Sequence, residues 1–263
     1  MMLPTLLVSL LASPAEQPLI VLPAPVFQEE DASAPKWEGS VTLGASASSG
    51  NTEVSSVTAG VDASRATEAE TWKVQFNSVF NQEQNGGVST ITQRRNELNL
   101  KYEHNLSERL YAYGTAGAMS DFKAQLDLRS GAGAGAGYKI LTGDAWTLDG
   151  ELGLTYLNEL FAESAPGVQD RNEYLAAHAG YLTQWKDADE KMKFSHRGDL
   201  YPAIDGGDDG NSPGFYRFDT TLRMNVTESF FTQLQWLFTR TEVPQAGKKK
   251  NDNLVLMTVG WGF

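Results

Sequence analysis

Between Trp37 and Phe263 the chain alternates apolar and polar residues again and again, and the connections between the alternating segments sort by length. A period of two is the mark of a β-strand with one face in an apolar medium. The connections after the second, fourth, sixth, eighth and tenth segments are short: ATEAE, HNLSE, LTGDA, KDADE and NVTES. Those after the odd segments are longer, among them NQEQNGGVST, FAESAPGVQD, AIDGGDDGNSPG and VPQAGKKKND, with SSGNTE the short exception. Short turns at one rim and long loops at the other describe an outer-membrane barrel, periplasm against exterior. A soluble β-sandwich, the competing all-β reading, has no reason to sort its loops this way. The expected fold is therefore a single antiparallel transmembrane β-barrel of about 12 strands over residues 37–263, an even count as single-chain bacterial barrels require.

Composition agrees. Hydrophobic residues make up 41% of the chain, with no central run long enough for a membrane helix. A barrel tolerates such an average because half of every strand faces a polar lumen. With no cysteine, disulfides, thiolate metal sites and Cys nucleophiles are excluded. A net charge of -12 argues against nucleic acid as a partner. Residues 1–15 open on an apolar run of signal-peptide length, although no Lys or Arg precedes Lys36. Residues 16–36, with four prolines and an acidic triplet, read as a flexible linker.

The last segment, Asn253 to Phe263, puts Val255, Met257, Val259, Trp261 and Phe263 on one face. It is expected to close the barrel against the first, Trp37 to Ser48, with Trp261 and Phe263 as the signal read by the barrel-assembly machinery. Its opposite row begins with Leu254 and Leu256, more like packed core than wetted pore. Trp37, Trp72, Trp146, Trp185 and Trp261 all fall near segment ends on the apolar face, as an interfacial girdle requires. Trp236 is more central.

The polar rows carry both signs of charge. The expected lumen-lining residues are Lys73, Arg95, Glu97, Lys101, Asp149, Glu151, Arg217, Asp219 and Arg223, with Arg197 and Asp199 on the same parity. They make either a polar pore that screens small polar solutes or a salt-bridged filling that plugs the lumen; a barrel of this size lies between filled and open ones. Gly131, Gly133, Gly135 and Gly137 leave one inner wall without side chains, so a bulky neighbour from across the barrel packs there or the space holds water and solute. The segment from Arg109 to Ser120 has small or aromatic residues in both rows, and its facing stays open.

No catalytic, cofactor or metal residues emerge. Ser195 and His196 are adjacent in a strand and point to opposite faces, so they cannot form a nucleophile–base pair. His178 lacks an evident nucleophile, and His104 falls in a short turn. Asp205, Asp208 and Asp209 would need a distant His to act as a rim protease. From Asp205 an EF-hand loop would place Tyr216 where a bidentate acid is needed, so the calcium register fails. Lys248 to Lys250 could meet lipopolysaccharide phosphates or simply be solvated.

Several short motifs together resemble a known family. They are Trp37-Glu38-Gly39 with Leu43-Gly44, Ser49-Gly50-Asn51-Thr52, Asp121-Phe122, Leu126-Asp127-Leu128-Arg129, Gly135-Ala136-Gly137-Tyr138 and Leu148-Asp149-Gly150-Glu151-Leu152-Gly153. In order and spacing the chain is similar to the salt-induced outer-membrane proteins, a Gram-negative family whose domain is labelled as of unknown function. The resemblance implies a barrel in the cell outer membrane, in contact with its lipid and lipopolysaccharide, and a link to osmotic stress. It supplies no catalytic residues.

Overall fold

A computed structural model describes residues 35–48, 53–85, 87–162, 171–204, 213–244 and 247–263. The expected signal peptide, nearly all of the linker, the Ser49–Thr52 turn and the Asp205–Asn211 loop lie outside the described residues. The described chain is all-β. Twelve strands follow one another: β1 (Glu38–Ser48), β2 (Glu53–Ala66), β3 (Glu70–Asn85), β4 (Val88–Asn105), β5 (Leu110–Asp121) and β6 (Leu126–Thr142), then β7 (Trp146–Phe161), β8 (Arg171–Lys186), β9 (Met192–Pro202), β10 (Gly214–Asn225), β11 (Phe230–Thr241) and β12 (Asn251–Gly262). Each pairs antiparallel with its neighbours in sequence, and β12 returns to β1 to close the barrel.

The alternation places each row. On β7, Leu152, Leu154 and Tyr156 are exposed on the outer face while Thr155, Leu157 and Glu159 are buried inside. On β12, Val255, Met257, Val259 and Trp261 are exposed outside, with Thr258 buried inside. So broad an exposed apolar surface is what a barrel presents to lipid. Trp37, Trp72, Trp146, Trp185 and Trp261 gather at the rim of short turns, where Trp146 faces Trp185 across the β7–β8 ladder and the Trp72 ring lies 4.6 Å from that of Tyr102.

Two expectations change. The segment NQEQNGGVST is mostly strand, because β3 and β4 run on as a 16- and an 18-residue pair to a tight turn where Gly87 takes φ 81°. Alternating polar residues at the top of a hairpin look like a loop in sequence, yet they pair as well as apolar ones when their side chains meet water. His104 lies within β4, paired with Glu70, rather than in a turn. The facing of β5 is now fixed: Tyr111 and Tyr113 are buried inside, while Leu110 is exposed outside.

Candidate functional site

The inner wall is where the charges are, and register decides which of them meet. Of the expected residues, Lys73, Lys101, Asp149 and Glu151 lie toward the short-turn rim. Lys73 bonds Glu103 at 2.7 Å, Lys101 lies 3.1 Å from Glu103, and Lys101 also pairs with Glu151 on β7, three strands away. Tyr111 donates to the same Glu151 at 2.7 Å. Midway up, Arg95 contacts Glu97 at 3.0 Å and Asp121 at 3.4 Å. Arg217 on β10 pairs with Glu97 on β4, and its other nitrogen lies 3.6 Å from Asp219. Gln235 donates to both oxygens of Asp219, at 2.9 and 2.8 Å.

The Arg217–Glu97 pair shapes the lumen. β4 and β10 stand six places apart in a ring of twelve, on opposite walls. Twelve strands about 4.8 Å apart and tilted by roughly 40° would make a round barrel about 24 Å across. An Arg and a Glu meeting end to end span only about 13 Å between Cα atoms. The ring is therefore drawn in along this chord, and the ion pair bars the lumen there. Both side chains are largely buried, at 16% and 5% exposure, so each ion depends on the other.

The glycine row is filled, though not from across the barrel. A Cβ on Gly137 would enter the Tyr111 ring, one on Gly135 would come 2.6 Å from Tyr113 Oη, and one on Gly131 would come 2.8 Å from Leu157 Cδ2. Both tyrosines belong to β5, the strand next to β6, and lean sideways over the bare backbone. The row is thus covered by two aromatic rings over Gly135 and Gly137 and by the β7 side chains Thr155 and Leu157 over Gly133 and Gly131.

His178, Arg197 and Asp199, named in sequence without partners, and Tyr113, Arg129, Glu159, Tyr174 and Tyr201, which the sequence did not mark as lumen-lining, complete the network. Tyr113 Oη lies 2.6 Å from His178 Nδ1, His178 Nε2 lies 2.9 Å from Asp199, and Arg197 donates to Asp199 at 2.7 Å. His178 also stacks on Tyr201, with ring centroids 4.7 Å apart. Toward the long-loop rim Arg129 donates to Glu159 at 2.6 Å and covers the Phe215 ring at 4.4 Å, while Tyr174 donates to the same carboxylate at 3.2 Å. Parity could have found Arg129 and Glu159, since both fall on the inward rows of their strands. The Tyr113–His178 bond joins residues 65 positions apart, which no local pattern reveals.

Arg223 stands apart. Its guanidinium lies over the Phe231 ring at 3.4 Å and its Nε donates to Asn225 at 2.9 Å. Ser195 and His196 face opposite sides as expected: His196 is on the outer wall, held 2.7 Å from Tyr181 Oη and 2.8 Å from Thr220 Oγ1. Among the described residues no group of three or more His, Cys, Asp or Glu could hold a metal ion. Trp261 and Phe263 are exposed on the outer face at the seam, where Phe263 and Gly39 exchange two backbone hydrogen bonds of 2.9 Å.

The family profile described as "Protein of unknown function, DUF481" matches residues 41–263. No curated protein matches the sequence. Among solved structures, an outer membrane channel from Pseudomonas putida F1 aligns over 87% of this chain and 96% of its own, at 15% identity and a TM-score of 0.51. The translocator domain of the autotransporter NalP from Neisseria meningitidis aligns over 89% and 90%, at 14% identity and a TM-score of 0.48. At such identities the likeness to the channel is one of fold, and that fold is the outer-membrane barrel.

Proposed function

The chain belongs to the DUF481 family, and we propose that it is a non-enzymatic barrel of the Gram-negative outer membrane that passes small polar solutes through a narrow, barred lumen. The observation that carries this reading is the Arg217–Glu97 pair. It closes the lumen with two side chains and no backbone, so a change of rotamer in either parts the bar. A polar inner wall of matched charges lets water and small solutes pass when the bar parts, while excluding large ones. A solved barrel of similar fold is described as an outer membrane channel, which supports the reading. His178 is buried against Tyr113 and Asp199, and His196 faces outward, so neither imidazole is offered to a solute in the lumen.

In this reading the short turns face the periplasm and the long loops the exterior. Lys248 to Lys250 then lie at lipopolysaccharide height, and Trp261 with Phe263 forms the signal for the barrel-assembly machinery. A role under salt stress rests on the family resemblance alone, because so buried an ion pair is little screened by ionic strength. Planar-bilayer recording tests the proposal. Wild-type protein should give small unitary steps, and Glu97→Ser with Arg217→Ser should enlarge them. No steps from either would sink the channel. A second reading, a plugged barrel acting through its outer loops, is favoured by the tyrosine-filled glycine row and would be the conclusion in that event.

A further inference from the structure

Donors and acceptors do not balance in the belt of ions midway up the lumen. Its four carboxylates already accept a bond on every oxygen. Asp199 takes His178 on one oxygen and Arg197 Nε on the other. Glu97 takes Asn99 and Arg217 on Oε1, and Arg95 on Oε2. Asp121 takes the backbone N–H groups of Lys123 and Ala124 on Oδ1, and Arg95 on Oδ2. Both oxygens of Asp219 are held by Gln235. All four carboxylates lie back in the wall, between 5% and 14% exposed.

The cations of the belt are engaged as well, with one exception. Arg95 uses its two terminal nitrogens on Glu97 and Asp121, and Arg217 turns its own to Glu97 and Asp219. Arg197 donates only through Nε. Among the described residues, its terminal nitrogens have no hydrogen-bond partner and Asp199 is its only ion-pair partner. Glu151, the next carboxylate within its electrostatic reach, is bonded by Lys101 and Tyr111. The Arg197 side chain is 40% exposed, the highest value in the belt. It stands on the inner row of β9, between Leu182 of β8 and Asp219 of β10, so that exposure is to the lumen. Solvent therefore reaches a guanidinium edge that has donors and no acceptor.

We propose that the free edge of Arg197 is a binding site for a small monocarboxylate, set in the lumen beside the Arg217–Glu97 bar. A planar guanidinium edge matches the two oxygens of a carboxylate and holds them by parallel hydrogen bonds. One exposed cation balances one negative charge. A dianion would bring its second charge toward the sunken carboxylates, which have no proton to offer it. A cation finds no acceptor in this belt that is not already bonded. The belt therefore favours anions although the whole chain carries a net charge of -12, because the charge exposed at a constriction selects the solute and the total does not. Passage of the carboxylate rests on the polar-solute reading, whereas its binding does not.

The test is the line width of isotope-labelled acetate in the presence of the full barrel, folded in detergent. Wild type should broaden the acetate resonance, and unlabelled acetate in excess should reverse the broadening. Arg197→Gln should weaken binding at least about tenfold, the worth of one charge-assisted contact, and Arg197→Lys should recover part of it. Because Arg197→Gln leaves Asp199 without its cation, Arg197→Gln with Asp199→Asn is measured beside it, and the gel shift on boiling shows that each variant is folded. No broadening by wild type, or equal broadening by wild type and both glutamine variants, would overturn the site. Displacement of acetate by sulfate at lower concentration than by unlabelled acetate would overturn the monocarboxylate. Bilayer recording in a potassium acetate gradient is read separately. The wild-type reversal potential should take the sign of acetate and shift toward that of potassium in Arg197→Gln; a wild type that favours potassium would overturn the anion preference. Acetate binding without unitary steps fails the polar-solute channel alone, and steps without acetate binding fail the site alone.

Discussion

The inner wall divides into two arcs at the Glu97–Arg217 chord. From β4 round to β10 it carries tyrosines, a histidine and ion pairs that bridge strands up to six places apart. From β11 through β12, β1 and β2 to β3 it carries mostly small or neutral residues, such as Ser40, Thr42, Thr58, Gly60, Thr258 and Gly260, with the Asp252–Lys123 pair as a longer reach at the rim. Gln75 to Asp62 at 2.9 Å and Ser56 to Asn81 at 2.6 Å both join neighbouring strands. The first arc fills its lumen and the second only coats it. The seam lies in the second, where closing the ring leaves no buried ion waiting for a partner. Physically this is economical, because an unpaired charge on a late-closing strand would cost several kcal/mol.

The comparison breaks most sharply at Glu97. Glu97→Leu leaves Arg95 without its nearer partner and Arg217 without its chord, and we expect a loss of about 3–5 kcal/mol. The smaller swap in the coating arc, Thr58→Val, removes at most a neutral hydrogen bond and should cost no more than about 1.5 kcal/mol. Urea titration of refolded protein, followed by the gel shift between boiled and unboiled samples, measures both. Equal losses would mean that the two arcs do not differ in kind. Next in size is Gly137→Val, which forces a branched side chain into the Tyr111 ring while Glu151 holds that ring's hydroxyl. Overpacking of this sort costs about 1–3 kcal/mol. Gly137→Val with Tyr111→Ala should recover part of the loss, and a double variant as poor as the single one would refute the tyrosine-bed account.

How much of this the sequence discloses follows from range. Alternation is local, so the inward rows, the closing partner of β12 and the outward His196 are all legible from residue parity. The paired charges of β4 and β10 are visible as inward residues too, but not as partners, since 120 positions separate Arg217 from Glu97. The glycine row is plain in sequence, yet its filler was open because Tyr111 and Tyr113 sit on a strand whose two rows look alike. The short β1–β12 ladder, four pairs from Ser40↔Gly262 to Leu43↔Val259 against eleven between β1 and β2, leaves no trace in composition. Register at closure depends on strand shear, which is a property of the whole ring.

Smaller effects sharpen the contrast. Thr258→Val removes a buried hydroxyl that has no partner, so the variant should be more stable by about 1 kcal/mol. A destabilised variant would show that the hydroxyl has a partner in solution, and would bring the coating arc closer to its opposite.

The smallest expected effect belongs to neither arc. Glu190, in the exposed turn between β8 and β9, is bonded by Lys186 and paired with Lys193 at 2.9 Å, and these hold its carboxyl down at about 2. A carboxylate depressed in the folded state contributes stability above its ordinary value near 4.5 and loses it as pH falls from there toward 2. Solvent screens an exposed pair, so the contribution is slight compared with Glu97. The check is the urea midpoint of wild type and Glu190→Gln between pH 6 and pH 2. Wild type should start marginally higher and converge on the variant across that window. Parallel profiles would mean that the turn's ion pairs add nothing, and that stabilising ionic contacts are confined to the filled arc.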